Sequence, residues 1–303
     1  MLPLYYHPLY TEGIDPSARF PRERYRLIAE RLKGYHNIDL RTPRQANADE
    51  ISLAHDRGYV EAFLDGKLSE KAVRRIGLRP WTPDIVERTL RLAGGSLSAL
   101  ADALDTKSIA GNMAGGTHHA YRDFGSGYCI FNDVAICALT ALAQNGIERI
   151  LSLDLDVHQG DGTASILADE PRVFTCSIHS QSNFPFRKQR SDLDLGLDDN
   201  CSDTEYLSLL DETLAKIQPE QFDLILFQAG VDTLEADALG KLSLTRQGLR
   251  QRNQRIFEYN TKHGIPIVIF MGGGYAKPIE LTVDAFEDLF KGAAEAMRNK
   301  PHI

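Results

Sequence analysis

The sequence predicts an α/β fold built on a mostly parallel β-sheet, and two observations favour it. Short apolar runs rich in β-branched residues are bounded by polar or turn residues, as expected of strands buried on both faces. Stretches with helical periodicity and alternating charge lie between these runs, which gives a repeating strand and helix order. In such folds, function collects at the carboxyl ends of the strands. The predicted strands are residues 150–155, 173–178, 222–227 and 265–271.

Helical patterns account for much of the remaining chain. Residues 204–217 and 245–262 fall between predicted strands, and the second stretch is polar enough to lie on the outside. The N-terminal third is mostly helical in pattern, most clearly over residues 22–33 and 83–104. Residues 111–127 hold too many glycines for the interior of a helix or strand, so we expect a loop there.

Composition narrows the class of protein. Of the 303 residues, 43% are apolar and 25% charged, and no linker or repeat divides the chain, so we expect a single domain over residues 1–303. The net charge of −8 opposes binding to phosphate backbones, so no nucleic-acid partner is expected. Four cysteines without C-x-x-C spacing favour a reducing compartment. With no signal-peptide pattern and no apolar run of membrane-spanning length, we expect a cytoplasmic protein.

The stretch Asp154-Leu-Asp156-Val-His158 places charge at the end of an apolar strand. The three polar residues share parity, so an extended chain projects them to one side. Such charge is costly to bury unless a cation or a hydrogen-bonded partner compensates it, which favours a metal site. A solvated acidic loop is the alternative. A calcium loop fits poorly, because Ser165 stands where an EF-hand needs its bidentate Glu and His158 is a borderline-soft ligand.

Asp232 follows the predicted strand 222–227. A single Asp at the end of a strand is most often a turn or helix-cap residue. Together with Asp156 and His158, however, it completes a set of two carboxylates and one imidazole. That set leaves a position open for water, which is the ligand count of a catalytic zinc.

The stretch Gly-Gly-Thr-His118-His119-Ala carries two adjacent imidazoles. By themselves, two neighbouring histidines are a weak signal, and a surface loop without a role is the alternative. The glycines allow both rings into a crowded pocket, where Asp154 and Asp161 are available to fix their tautomers. Tyr275 follows three glycines that lack the Lys-Ser/Thr of a P-loop, so its hydroxyl could instead donate to an oxyanion.

These motifs together resemble the zinc-dependent histone deacetylase family, within the arginase/deacetylase fold. They span about half of the chain in order, and residues 232–243 resemble the class IV branch. The resemblance implies one domain with about eight mostly parallel strands and helices on both faces. The motifs are GGTHHA at 115–120, GYCIFND at 127–133, DLDVHQGDGT at 154–163, AGVD at 229–232 and GGGY at 272–275.

The resemblance also implies a role for each matching position. The residues expected to hold Zn²⁺ are Asp156, His158 and Asp232. The residues expected in catalysis are the tandem acid/base pair, the two acids behind it and a carbonyl-polarising hydroxyl: His118, His119, Asp154, Asp161 and Tyr275. The expected K⁺ ligands are Asp154, Asp156, the His158 carbonyl, Ser177 and Ile178. The residues expected to line the acyl-lysine tunnel and contact substrate are Gly127, Tyr128, Phe184 and Gly273.

The implied reaction removes an acetyl or longer acyl group from the ε-amine of lysine in a protein or peptide. Water attacks the amide, with His119 as general base and Tyr275 stabilising the oxyanion. A small-molecule amidohydrolase acting on acetylpolyamines is the first alternative, although the inserted loop of such relatives is not evident. A catalytically silent binding module is the second, and the retained His pair and Tyr275 disfavour it. The net charge weakly favours cationic substrates.

Three departures from the family pattern are visible, and none falls on an expected ligand. Tyr128 stands where many members have Phe, Gln159 where many have a second His, and Met271 replaces the first glycine of a four-glycine run. Gln159 also disfavours an arginase-like reaction, which needs a second metal with extra Asp ligands.

Overall fold

Eight parallel strands form one sheet in the computed structural model, which describes residues 1–144 and 146–299. In chain order the strands are β1 Leu2–Tyr5, β2 Ile38–Arg41, β3 Ile109–Asn112, β4 Ile150–Asp154, β5 Val173–Ser180, β6 Leu193–Leu197, β7 Leu224–Gln228 and β8 Ile267–Phe270. They are arranged in the order β2-β1-β3-β8-β7-β4-β5-β6, and every neighbouring pair is parallel. The predicted fold class, an α/β fold with about eight mostly parallel strands, is confirmed.

Eleven helices cover the two faces of this sheet within the described residues. They are α1 Leu9–Glu12, α2 Glu23–Leu32, α3 Ala48–Ser52, α4 Arg57–Leu64, α5 Glu70–Ile76, α6 Ile85–Thr106, α7 Asp133–Leu142, α8 Asp161–Leu167, α9 Asp203–Ile217, α10 Arg246–His263 and α11 Ile279–Arg298. One group packs α6 against α7, and another packs α11 against both α2 and α10. Within the described ranges, none of them combines the length and apolar character needed to cross a membrane.

The four predicted strands correspond to β4, β5, β7 and β8, with boundaries that agree to within two residues. The other four strands were not predicted, for local reasons. β1 contains a proline and β3 a glycine, both of which argue against a strand interior. β6 lies at the sheet edge and alternates half-buried with exposed residues. The predicted loop over 111–127 is wrong at its start, because β3 extends through Asn112.

The clearest helix boundaries follow from capping. Ser202 and Glu205 form a capping box at the start of α9, and the Thr245 side chain accepts a hydrogen bond from the backbone N–H of Gly248 at the start of α10. Gly264, with φ of 71°, ends α10 in the left-handed conformation that glycine adopts without strain. The predicted helices 204–217 and 245–262 are therefore found almost residue for residue.

The order of the central strands positions the candidate site. β8, β7 and β4 are adjacent and parallel, so their carboxyl ends meet at one edge of the sheet. The segments that leave these ends carry the acids after β4, Asp232 after β7 and the triple glycine with Tyr275 after β8.

Candidate active site

Asp156, His158 and Asp232 converge where β4 and β7 end. One ligand atom from each side chain lies within 4.8 Å of the other two, and all three residues are buried. His158 Nδ1 is 3.1 Å from Asp156 Oδ1 and 3.2 Å from Asp232 Oδ2. The structure thus brings together the three residues that the sequence suggests as metal ligands.

The chemistry of this donor set fits a divalent cation such as zinc. Two carboxylates share one buried space with a single imidazole, which is the composition of a three-ligand catalytic zinc site. Burial, reinforced by the charge of Asp156, raises the pKa of Asp232 to about 7. A cation between the two acids would remove the repulsion behind that shift.

The glycine loop after β8 lies close over the same acids. The backbone N–H of Gly273 donates to Asp156 Oδ2 at 2.7 Å. A Cβ atom at position 273 would overlap the Asp232 carboxylate, so a glycine is required for this approach. Gly273, predicted to contact substrate, therefore lies against the candidate ligands as well.

Each histidine of the tandem pair is hydrogen-bonded to its own carboxylate. His118 Nδ1 lies 2.7 Å from Asp154 Oδ2, and His119 Nδ1 lies 2.6 Å from Asp161 Oδ1. Both imidazoles are buried and both line the cavity that contains Asp156, His158 and Asp232. With Nδ1 engaged by an acid, Nε2 of each ring remains for exchange of a proton with a reactant.

The surroundings give the two imidazoles different affinities for a proton. Burial and the neighbouring His118 charge lower the pKa of His119 to about 4. For His118, burial acts against protonation, but the Asp154 and Asp156 carboxylates outweigh it and raise the pKa to about 9. At neutral pH, His119 is therefore neutral and able to accept a proton, whereas His118 carries one.

Asp133, at the start of α7, fixes the backbone before the two histidines. Its carboxylate accepts hydrogen bonds from the backbone N–H groups of Gly116 and Thr117 and from the hydroxyl groups of Ser96 and Thr117. A buried carboxylate with this many donors holds the loop in one conformation. Asp133 is the last residue of the GYCIFND motif at 127–133, and the sequence alone predicts no role for it.

Tyr275 is held by its backbone at the wall of the cavity. Its N–H donates to Asp237 Oδ2 at 2.6 Å, and its ring lies 6.1 Å from that of Tyr128 and 6.2 Å from that of Phe20. Burial raises the pKa of the Tyr275 phenol well above its ordinary value, although the charge of Arg24 opposes the shift. The hydroxyl therefore keeps its proton at neutral pH and can donate it in a hydrogen bond.

The predicted tunnel residues lie at or beside the same cavity. The Phe184 ring lies 5.0 Å from the ring of His119 and 6.5 Å from that of His158. Gly127 and Tyr128 line the cavity, and a Cβ atom at Gly127 would press against His119. Tyr128 thus forms part of the cavity wall, and Phe184 packs against two of the imidazoles that line it.

The residues suggested for potassium are also neighbours. Asp154, at the end of β4, pairs in register with Ser177 on β5, and Ile178 is the next residue along β5. Both Asp154 and Ser177 are buried, and Ser177 Oγ lies 2.9 Å from His179 Nδ1.

Two buried arginines beside the site were not predicted. Arg24 on α2 donates to the carbonyl groups of Gly272 and Gly274, both at 3.0 Å. Arg252 on α10 donates to the carbonyl groups of Leu155 at 3.1 Å and Gly230 at 2.7 Å. A single Arg in a polar helix leaves no pattern in the sequence that distinguishes it from a solvated one.

The expectation that residues 245–262 lie on the outside holds for one face of α10, which is exposed. The other face of α10 is buried, and it includes Arg252, Asn253 and Asn260. Arg252 and Asn260 donate to backbone carbonyl groups and Asn253 accepts from Arg252, so hydropathy alone does not reveal that face.

Comparisons with known proteins agree with this geometry. A histone deacetylase domain matches residues 18–286. The chain is 43% identical over 284 residues to an uncharacterized protein of Picosynechococcus sp., covering 91% of this chain and 93% of that protein. It is 28% identical to histone deacetylase 2 of Arabidopsis thaliana, covering 82% of this chain and 66% of the relative.

Histone deacetylase 1 of Homo sapiens is also 28% identical, over 80% of this chain and 53% of the relative. The chain thus spans about half the length of that human protein and about two thirds of the Arabidopsis protein. Since the domain match covers most of the chain and includes every candidate site residue, the chain belongs to the histone deacetylase family.

Proposed function

We propose that this protein is a metal-dependent amidohydrolase that removes an acyl group from the ε-amine of lysine in a protein or peptide. One observation carries the proposal: the candidate metal ligands Asp156, His158 and Asp232, both histidines of the tandem pair and Tyr275 line a single cavity. The histone deacetylase 1 and 2 names of its relatives supply the reaction class, which is hydrolysis of an amide.

The three candidate ligands are proposed to hold Zn²⁺. When bound, zinc would supply Lewis acidity, which polarises a carbonyl group and lowers the pKa of water toward neutrality. His119, neutral at pH 7, accepts the proton of the attacking water, and Asp161 stabilises the imidazolium that results. This assignment uses His119 as the base because its environment keeps it unprotonated.

Tyr275 acts on the charge that attack places on the substrate oxygen. Its protonated hydroxyl donates a hydrogen bond to the oxyanion in the cavity that Tyr275 lines. One of the two histidines then protonates the leaving amine, which gives a carboxylate and a free lysine. The ring of Tyr128, which lines the cavity, and the ring of Phe184, which packs against His119, are proposed to accommodate the alkyl stem of the acyl-lysine side chain.

Two finer points belong to the same proposal. A potassium ion beside the zinc site would use Asp154, Asp156, the carbonyl group of His158, Ser177 and Ile178, of which Asp154 and Ser177 face each other across neighbouring strands. The class IV resemblance of residues 232–243 extends the proposed acyl range to long fatty chains.

The protein is proposed to act in the cytoplasm. All four cysteines are free and buried, and burial raises the pKa of Cys129 and Cys137 well above the ordinary value. Thiols kept protonated and away from solvent do not form disulfides readily, which suits a reducing compartment.

A substrate series tests the proposal. Steady-state rates of zinc-loaded protein are measured on one lysine peptide bearing an acetyl, octanoyl or myristoyl group, with acetylated polyamine as a separate substrate. We expect turnover of at least one acyl peptide, and its loss in Asp232→Asn together with loss of bound zinc. Turnover of the polyamine alone would replace the proposal with the small-molecule alternative, and a stable zinc-loaded protein inactive on every substrate would contradict hydrolysis.

A further inference from the structure

Two exposed arginines near the site lack the acidic partners found elsewhere on the surface. Arg57, Arg172 and Arg250, which are about half exposed, each form an ion pair with Asp or Glu. Arg187 and Arg190 are also exposed, yet neither takes part in an ion pair or a side-chain hydrogen bond with any described residue. The segment 181–191, which contains both, has no Asp or Glu. Asp192 and Asp194 follow the segment directly, but neither forms an ion pair with Arg187 or Arg190.

This segment, which we name the rim loop, leads from the catalytic residues to solvent. Phe184 packs against His119, and the ring of Phe186 lies 6.4 Å from that of Phe184. Phe186 is 88% exposed, so two aromatic rings connect the buried imidazole with the surface. Arg187 is the next residue in the chain, so its backbone directly follows this exposed ring.

The rim loop is held in place at both sides of Arg187. The Lys188 ammonium donates to the carbonyl groups of Asn183 at 2.6 Å and Pro185 at 3.0 Å. The backbone N–H of Gln189 donates to the side chain of Gln159 at 2.8 Å, and the Gln159 amide donates back to the Gln189 carbonyl at 2.7 Å. The backbone just after Arg187 and just before Arg190 is therefore held by hydrogen bonds.

The other side of the mouth carries the same sign of charge. Arg19 precedes Phe20, whose ring lies 5.3 Å from that of Tyr128. Arg79 lies two residues after Gly77. A Cβ atom added at Gly77 would touch the Tyr128 ring at 3.3 Å, so this segment also lies next to that ring. Arg19 and Arg79 are exposed, and neither forms an ion pair within the described part of the chain.

We propose that these four arginines select peptide substrates in which acidic residues flank the acylated lysine. The inference rests on the proposed deacylase function and names its substrate class. Cations on both walls of the mouth lower the potential energy of nearby carboxylates and oppose lysine-rich or polyamine substrates. Exposed charges act over about one Debye length, roughly 8 Å. The positive charge of these arginines therefore influences a nearby peptide more than the net charge of −8 of the whole protein does.

Matched peptides test this selection. They share one acyl group and one central lysine, and carry Glu, Gln or Lys at the flanking positions. We expect kcat/KM to be at least about 10-fold higher with Glu than with Lys, mainly through KM, and the ratio to approach one in about 0.5 M NaCl. In Arg187→Glu/Arg190→Glu the preference should disappear or reverse. Arg187→Lys/Arg190→Lys should retain most of it.

Arg298→Glu is the matched control. Arg298 is also exposed and lies at the far end of α11, whose twenty residues place it about 30 Å along the helix from the residues that follow Tyr275. Arg298→Glu changes the net charge by the same amount as each single substitution in the rim loop, but it does so far from the cavity. The preference for the Glu peptide should therefore persist.

Binding separates this inference from the proposed function. Fluorescence anisotropy with Tyr275→Phe measures the affinity for the same labelled peptides without turnover. If no peptide is hydrolysed by the wild-type protein, the deacylase proposal fails, and binding alone decides the charge preference. Equal affinities for the Glu and Lys peptides, or a preference that survives Arg187→Glu/Arg190→Glu unchanged, would overturn the inference.

Discussion

The rings of His118 and His119 lie 4.1 Å apart, centroid to centroid, yet the pKa is about 9 for the first and about 4 for the second. The charge on His118 is one cause of the low pKa of His119, so the two protonation states depend on each other. One imidazole is thereby prepared to give a proton and the other to accept one.

We expect kcat/KM to fall on the alkaline side at or below pH 9, where His118 loses its proton. A cation beside Asp156 would move this limit to lower pH, because it offsets the negative charge that helps hold the proton. In His118→Asn the alkaline limb should be absent. The pH profile of kcat/KM measures both effects, and an identical alkaline limb in the variant would assign it to another group.

Tyr275→Phe should retain bound zinc and lose about 3 kcal/mol of transition-state stabilisation, or roughly 100-fold in kcat. The reason is that the phenol donates to a charge that develops only during the reaction. Zinc content and kcat are measured on the same preparation, with Tyr259→Phe on the surface of α10 as the control. Full activity of Tyr275→Phe would remove this hydroxyl from the mechanism.

Arg252→Met should weaken zinc binding about 10- to 100-fold, because the guanidinium fixes the backbone beside Asp156 and Asp232. Its removal leaves buried carbonyl groups of Leu155 and Gly230 without a donor, which we expect to lower the free energy of unfolding by about 3 kcal/mol. Arg252→Lys should recover part of both losses. The readouts are zinc affinity by competition with a chelator and denaturant unfolding of the metal-free protein.

Arg246→Met is the control for that variant. Arg246 lies on the same helix, but its ion pairs with Asp284 and Asp288 are partly exposed. We expect its loss to cost less than about 1 kcal/mol and to leave zinc affinity unchanged. Equal zinc affinities in Arg252→Met and the wild type would show that Arg252 only supports the fold.

His55 should make the folded protein sensitive to acid. Its buried ring accepts a hydrogen bond from the backbone N–H of Asn132 at 2.8 Å, and burial lowers the pKa to about 4. Because this value lies below the unfolded pKa of about 6.5, the contribution is complete above pH 6.5 and is lost as the pH falls toward 4. The full loss is about 3 kcal/mol.

Urea unfolding of the wild type and His55→Gln between pH 7.5 and 4.5 measures this contribution. Gln retains an acceptor for Asn132 and cannot be protonated in this range. The difference between the two proteins in the free energy of unfolding should therefore shrink or change sign as the pH falls. A constant difference would assign the acid sensitivity to other groups.

The sequence was sufficient for four adjacent strands of the sheet. β4, β5, β7 and β8 are mostly apolar runs bounded by polar or turn residues, so each run is distinct from its surroundings. β1 and β3 are just as buried, but each has four residues and contains a proline or a glycine. Their strand conformation depends on pairing with neighbours that are distant in the chain, which no local pattern reports.

The candidate site was visible in part because its residues lie in short motifs. Asp156 and His158 are two positions apart, and His118 and His119 are adjacent. The positions of Arg24 and Arg252 beside the site could not be predicted from the sequence. Each donates to backbone carbonyl groups, which are present in every residue and leave no sequence pattern. The net charge also gave no indication of the four exposed arginines of the further inference, because it sums over the whole surface of the protein.

Two hydrogen bonds join the Gln159 side chain to the backbone of Gln189, and Gln159 directly follows the candidate metal ligand His158. These bonds therefore connect the rim loop to the segment that carries this ligand. Because both bonds use the backbone of Gln189, a library that varies only the side chains of residues 184–190 keeps them, whereas a graft that changes the length or path of this segment would break them. Replacement of Gln159 would release the segment even though every side chain of the segment itself stayed the same. Residue 159 belongs in any such design as its first fixed position.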